Sequence, residues 1–240
     1  MAYFPIASTA QRPGATVAPL ENGDCLDQKK FHERYESMAE DVRAELIGGI
    51  VYMASPQKLP HSKTAGLVGR WLNEYEEDTP GTESLPGVTS ILGPDSEPEP
   101  DHCLFILPEC DGQTRINKKG YLVGAPELIV ETASTTESRD LHQKKDDYEK
   151  AGVREYVVVA LRSKKVFWFL AHDGKFRTLK PGPDGIFRSK VFPGLWLNPS
   201  ALLDGNRSKL LATARQGLGS DEHRAFAARL AARQRRNGRD

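Results

Sequence analysis

The apolar run Leu128-Ile129-Val130 is opened by Glu127 and closed by Glu131, within PELIVETAS, and this stretch constrains the chain more than any other. A short continuous run rich in β-branched side chains suits a strand covered on both faces, inside a layered sheet. A carboxylate at its end is costly. Stripped of water, an ionised acid survives only with a partner, a metal or a raised pKa. The fold therefore has to supply a two-faced sheet and company for Glu131.

Other segments fit the same layered arrangement. A helix is predicted around Asp27 to Met38, then a strand near Ala44 to Met53 that Gly48 and Gly49 turn into a hairpin. Leu67, Trp71 and Tyr75 fall at helical spacing in a segment that begins at Pro60 and stops before Pro80. Residues 83–101 read as a turn-rich acidic loop, with Glu97 and Glu99 solvated among prolines, and CLFIL as a second buried strand. A helix from about Ser138 to Ala151 ends at Gly152, and REYVVVAL, KKVFWFLA and GKFRTLKP are strands, the last two joined at His172-Asp173-Gly174. Short strands or turns in DGIFRSKVFPGLWL lead to an amphipathic helix capped by Ser220. Phe167, Trp168 and Phe169 read as sheet packing rather than base stacking. The expected architecture is α/β, a mixed β-sheet flanked by α-helices. Its domains run as a flexible lead-in over 1–25, one folded domain over 26–205, and a C-terminal helix with a basic tail over 206–240.

Composition narrows the function classes. The 240 residues carry 33 Lys plus Arg and 33 Asp plus Glu, so a nucleic-acid partner has to be gripped by local rather than global positive charge. Arg229, Arg233, Arg235, Arg236 and Arg239 offer such a patch in the tail, with a solvated or dimer-packing tail as the alternative. No apolar run approaches a membrane span and the N-terminus lacks signal-peptide character, so a cytoplasmic protein with no membrane partner is expected. Cys25, Cys103 and Cys110 contain no C-x-x-C pair and read as buried thiols of a reducing compartment.

Glu131 has candidate company in Asp101, which stands at the entrance of the CLFIL strand. If the two strands are neighbours, both carboxylates can meet one cation, and hard oxygen ligands suit Mg²⁺ or Mn²⁺. Asp140, Lys144 and Tyr148 follow at four-residue intervals and can face the same strand end, where an ammonium would orient an attacking water and offset charge on a phosphodiester. Lys145 is an equally placed rival, and an ordinary ion pair between Asp140 and Lys144 is the bland alternative. His61, at the start of the Leu67/Trp71 helix, and Glu45, before the LIGGIVYM strand, are secondary candidates.

Together, RAELIGGIVYMASP with His61, EPEPD, GAPELIVETAS, DLHQKKDDY and KAGVREYVVV resemble the Uma-type restriction endonuclease family of the PD-(D/E)XK nuclease superfamily, over about Phe31 to Leu203. The resemblance implies a restriction-endonuclease-like core and a Mg²⁺-dependent endonuclease acting on nucleic acid, with DNA the expected substrate and a homodimer the means of cutting both strands. It places the motif aspartate at Asp101 and the motif glutamate at Glu131, which are expected to bind the metal, and His61 and Glu45 are expected to assist. Ala133 stands where the usual lysine would, and the resemblance moves that role to Lys144 on the following helix. Gly48 replaces an aspartate frequent in the family. Because this scaffold also tolerates loss of chemistry, the alternative is an inactive nucleic-acid-binding or assembly module on the same fold.

Overall fold

The computed structural model describes residues 17–237, and the LIV run forms the middle of its largest sheet. In chain order the elements are α1 (Gln28–Glu36), β1 (Ala44–Ile47), β2 (Ile50–Met53), α2 (Leu59–Glu77), β3 (Thr82–Pro86), β4 (Ser90–Ile91), β5 (His102–Ile106), β6 (Arg115–Ile116), β7 (Leu122–Val123) and β8 (Leu128–Ala133). There follow α3 (Glu137–Leu141), α4 (Gln143–Ala151), β9 (Glu155–Ala160), β10 (Lys165–His172), β11 (Lys175–Thr178), β12 (Phe187–Arg188), β13 (Trp196–Leu197), α5 (Pro199–Leu203), α6 (Arg207–Leu218) and α7 (Asp221–Asn237). The main sheet has six strands in the order β11-β10-β9-β8-β5-β3. Within this sheet only β8 and β9 pair in parallel, joined by the α3–α4 crossover, and the other pairings are antiparallel.

Alternation across the central strands builds a core on each face. Leu128 and Val130 pack with Val68, Trp71 and Leu72 of α2 on one side, while Ile129 and Ala133 pack with Tyr148 and Tyr156 on the other. Trp168 belongs to the first core and Phe169 to the second, as packing residues should. A third, smaller cluster joins Phe31 of α1 to Ala44, Leu46 and Val51 of the β1–β2 hairpin, and this outlying unit carries Glu45 to the main sheet. Gly48 and Gly49 turn the hairpin at φ +56° and +79°, a region glycine enters without strain.

Several expectations need correction. Residues 1–16 of the predicted lead-in lie outside the described residues, but 17–25 are ordered: Leu20 is buried, and Gly23 and Asp24 exchange backbone hydrogen bonds with Val51. The loop over 83–101 contains most of β3, an edge strand whose inward positions Thr82 and Ser84 are polar and so gave no apolar signal. Within that loop Glu97 is fully buried, accepting from Gln28 Nε2 at 2.7 Å and sitting 2.8 Å from His32 Nδ1. The single helix over 138–151 is broken at His142 into α3 and α4. Cys25 is exposed, while Cys103 and Cys110 are buried as thiols.

The described part of the C-terminal segment packs on the domain. Leu210, Ala214 and Leu218 of α6 and Phe226 and Leu230 of α7 complete the α2-side core. Arg233 and Arg236 fold back on Asp111, at 3.2 and 3.6 Å, beside the turn that follows β5. That places this basic end at the opposite end of β5 from Asp101, so it does not flank the carboxylates; Arg239 lies outside the described residues. Among the described residues no helix is long and apolar enough to cross a membrane.

Candidate active site

Strand register brings the two principal acids together. His102 pairs with Val130 and Cys103 with Ile129, so Asp101, one residue before β5, stands across from Glu131. Opposed residues of an antiparallel pair project to one face. The Thr132 N–H donates to Asp101 Oδ2 at 2.7 Å, and the Asp101 N–H reaches Glu131 Oε2 at 3.4 Å.

Lys144 comes to the same point from α4. Its ammonium donates to Glu131 Oε1 at 2.8 Å and to Glu45 Oε1 at 2.7 Å, and Tyr148, one turn later, donates its hydroxyl to Glu131 Oε1 at 2.8 Å. Glu45 thus reaches the site from β1, and its Oε1 also accepts from the Glu99 N–H at 3.0 Å. The rival Lys145 instead lies 3.9 Å from exposed Asp146 and 5.4 Å from the Phe169 ring centroid. Asp140 is buried but bonded to Thr136 Oγ1, at 2.5 Å, so the simple Asp140–Lys144 pair gives way to the bridge between Glu131 and Glu45. His61, near the start of α2, places Nε2 3.2 Å from Asp101 Oδ2. All five predicted site residues therefore border one cleft of about 560 Å³, with Arg43, Lys58, Glu99, Thr132, Arg139 and Asp140 also on its walls.

Electrostatics in the cleft follow from burial against pairing. Burial pushes the Glu131 carboxyl up to about 8; Lys144 opposes this, while Asp101, Asp140 and Glu45 add to it. Burial also works against the Lys144 ammonium, but Glu131, Glu45 and Asp140 outweigh it and hold the amine above its ordinary range. Asp101 behaves differently: burial acts upward, yet His61, the Thr132 N–H and Lys144 together hold it below the usual aspartate value. His61 is correspondingly raised, first by its contact with Asp101 and against burial.

The donor set fits a hard divalent cation. One oxygen of each principal acid is committed, Asp101 Oδ2 to Thr132 and His61, and Glu131 Oε1 to Lys144 and Tyr148. Among the described residues Asp101 Oδ1 accepts no hydrogen bond and Glu131 Oε2 only the long one from Asp101, so each acid keeps an oxygen to offer. Among the described residues no three His, Cys, Asp or Glu side chains form a metal cage of their own. Mg²⁺ is suited to such a site, because it keeps waters and takes one or two carboxylates together with substrate oxygens.

Two cleft residues escaped sequence reasoning. Thr132 reads as strand filler, and Arg139 as one cation at the start of the predicted helix with no periodic signal.

Residues 29–200 match the model of the Uma2 family, described as "Putative restriction endonuclease". No curated protein matches the chain. Among solved structures, a crystal structure described as "a putative nuclease belonging to DUF820" from Anabaena variabilis ATCC 29413 superposes with a TM-score of 0.58 at 16% identity, over 72% of this chain and 96% of that one. At that identity the likeness concerns the fold, a mixed sheet flanked by helices.

Proposed function

The chain belongs to the Uma2 family, and from that premise we propose that it is a cytoplasmic, Mg²⁺- or Mn²⁺-dependent endonuclease that hydrolyses phosphodiester bonds of DNA. The observation that carries the reading is the meeting of Asp101 and Glu131 across one strand pairing with the Lys144 amine 2.8 Å from Glu131. Each comes from a different element, and an accidental surface ion pair would not require this burial.

Asp101 and Glu131 would hold the cation, which when bound supplies Lewis acidity at the phosphate and eases deprotonation of water. The chain's other groups have separable tasks. Lys144 orients the attacking water and offsets negative charge growing on the phosphate oxygens. Glu45 and Tyr148 fix the geometry of that step, Glu45 by anchoring the ammonium and Tyr148 by steadying the Glu131 oxygen that the ammonium shares. His61 braces Asp101 through Oδ2, which would leave Oδ1 to hold the cation.

Asp101→Ala tests the proposal on supercoiled and linear DNA with Mg²⁺, Mn²⁺ or Ca²⁺. Wild type should nick in Mg²⁺ or Mn²⁺, and the variant should lose at least about 10²-fold in rate while keeping its circular dichroism spectrum, a loss in the range seen when one electrostatic contributor is removed. Unchanged cleavage would take Asp101 out of the mechanism. Tight binding with no nicking by wild type in any ion would favour the inactive binding module.

A further inference from the structure

The cleft contains a cation that forms no ion pair among the described residues. Arg139 lines it from α3, half-buried, with its guanidinium carbon 5.0 Å from the centroid of the Tyr52 ring. Tyr52 is held in turn by its hydroxyl, which donates to Gln143 Oε1 at 3.1 Å. The guanidinium therefore rests on a fixed aromatic face. Its Nε is buried without a hydrogen-bond partner, and Arg139 forms no ion pair with any described residue, although Glu45, Glu131 and Asp140 line the same cleft. The other cations are placed differently: Lys144 is shared by Glu131 and Glu45, Arg43 lies 3.4 Å from Glu99, and Lys58 stands exposed at the rim.

A second observation points the same way. Thr132, one residue after Glu131 on β8, is 2% exposed and its Oγ1 also lacks a partner among the described residues. Leaving a buried donor unmade costs about 1–3 kcal/mol, so unmade donors on two residues lining the cleft suit a ligand that completes them. The ligand's chemistry follows from the donors. A guanidinium fork stacked on an aromatic ring and a hydroxyl lining the same cleft match the oxygens of a phosphate.

We propose that Arg139, seconded by the Thr132 hydroxyl, anchors a phosphodiester of the substrate next to the one addressed by Asp101 and Glu131. This rests on the nuclease reading and adds to it a positioning residue that grips the DNA backbone without taking part in the chemistry.

The test compares wild type with Arg139→Gln and Arg139→Lys, using fluorescein-labelled DNA in Ca²⁺ for anisotropy across a salt series and Mg²⁺ for steady-state cleavage. Arg139→Gln should weaken binding by about 10- to 100-fold, the worth of a hydrogen bond to a charged group. It should also flatten the logarithmic salt dependence by about 0.7–0.9, as loss of one phosphate contact requires. KM should rise by a similar factor with a smaller change in kcat. Arg139→Lys keeps the charge and the slope but loses the fork, so its Kd should rise less. If Arg139→Gln fails to fold, Arg139→Lys decides, and an unchanged Kd there overturns the inference. Unchanged binding and slope in Arg139→Gln, with Asp101→Ala still inactive, would remove Arg139 and leave the nuclease reading standing, as would a loss confined to kcat. Absence of both binding and cleavage in wild type would remove the two together.

Discussion

Lys144→Met withdraws the positive charge shared by Glu45 and Glu131 while keeping an unbranched side chain of comparable length. The ammonium lies 2.7 and 2.8 Å from the two carboxylate oxygens, and the Lys144 and Glu131 side chains are 4% and 5% exposed, so water screens the pair little. Removing one partner of a buried ion pair leaves the other charged and dry, at a cost of about 3–5 kcal/mol. The sign with pH follows from Glu131. Burial pushes its carboxyl up to about 8 even beside the amine, and loss of the amine pushes it further up. Below that value the stranded acid takes a proton and the cost falls. Urea unfolding followed by tryptophan fluorescence should therefore show a loss of about 3–5 kcal/mol at about pH 9 and a clearly smaller one at about pH 6. Mg²⁺ should restore more stability to the variant than to wild type, because a cation that binds only the folded state stabilises it by mass action. A loss below about 1 kcal/mol, the range of exposed pairs, or an equal loss at both pH values would refute the buried-bridge account.

Two further predictions concern the scaffold. Glu155, fully buried at the start of β9, accepts from Ser189 Oγ at 2.6 Å and Lys190 N at 2.7 Å, yet burial pushes its carboxyl up from 4.5 to about 7. Its folded pKa is raised, so its contribution is intact below the unfolded value and is lost as pH rises through about 7; on going from about pH 5 to about pH 8 the stability difference should move by about 3 kcal/mol in favour of Glu155→Gln, and parallel curves in urea titrations would refute this. Leu230→Ala should cost about 2–5 kcal/mol in one cooperative transition while leaving the cleavage rate per folded molecule unchanged. A separate early transition would mean that α7 is detachable after all.

The carboxylates were legible as a pair only conditionally. The LIV and CLFIL runs announce buried strands, but nothing local specifies that His102 faces Val130, the register on which the meeting of Asp101 and Glu131 depends. Lys144 and Lys145 sit at similar helical angles to the Leu141/Tyr148 face. The choice between them is made by Glu45, 99 residues earlier, a separation that no window on the chain spans. The helix break at His142 was hidden because QKKDDYEKA and the residues before it form helix readily; the interruption accompanies burial of Asp140, whose carbonyl accepts the Tyr156 hydroxyl at 2.9 Å. Glu97 looked solvated because its prolines signal a loop, while the groups that bury it come from α1. For α7, Phe226 and Leu230 form a stripe narrow enough to suggest a free helix, and only the matching cavity left by α2 and the end of the sheet makes it part of the core.

Ala133 occupies the strand position two residues beyond Glu131, and the amine arrives from a helix instead. A strand-borne lysine would sit at a spacing dictated by the backbone pleat, which hardly varies from protein to protein. Here the gap depends on how thickly the layer between α4 and the sheet is filled, and the filling is aromatic: Tyr148 meets Tyr156 edge-on with ring centroids 5.0 Å apart. Swapping such rings for smaller or bulkier ones would raise or lower the whole helix and carry the amine with it. The position of the amine can accordingly shift through residues packed beneath the helix, with every acid and the lysine itself left untouched.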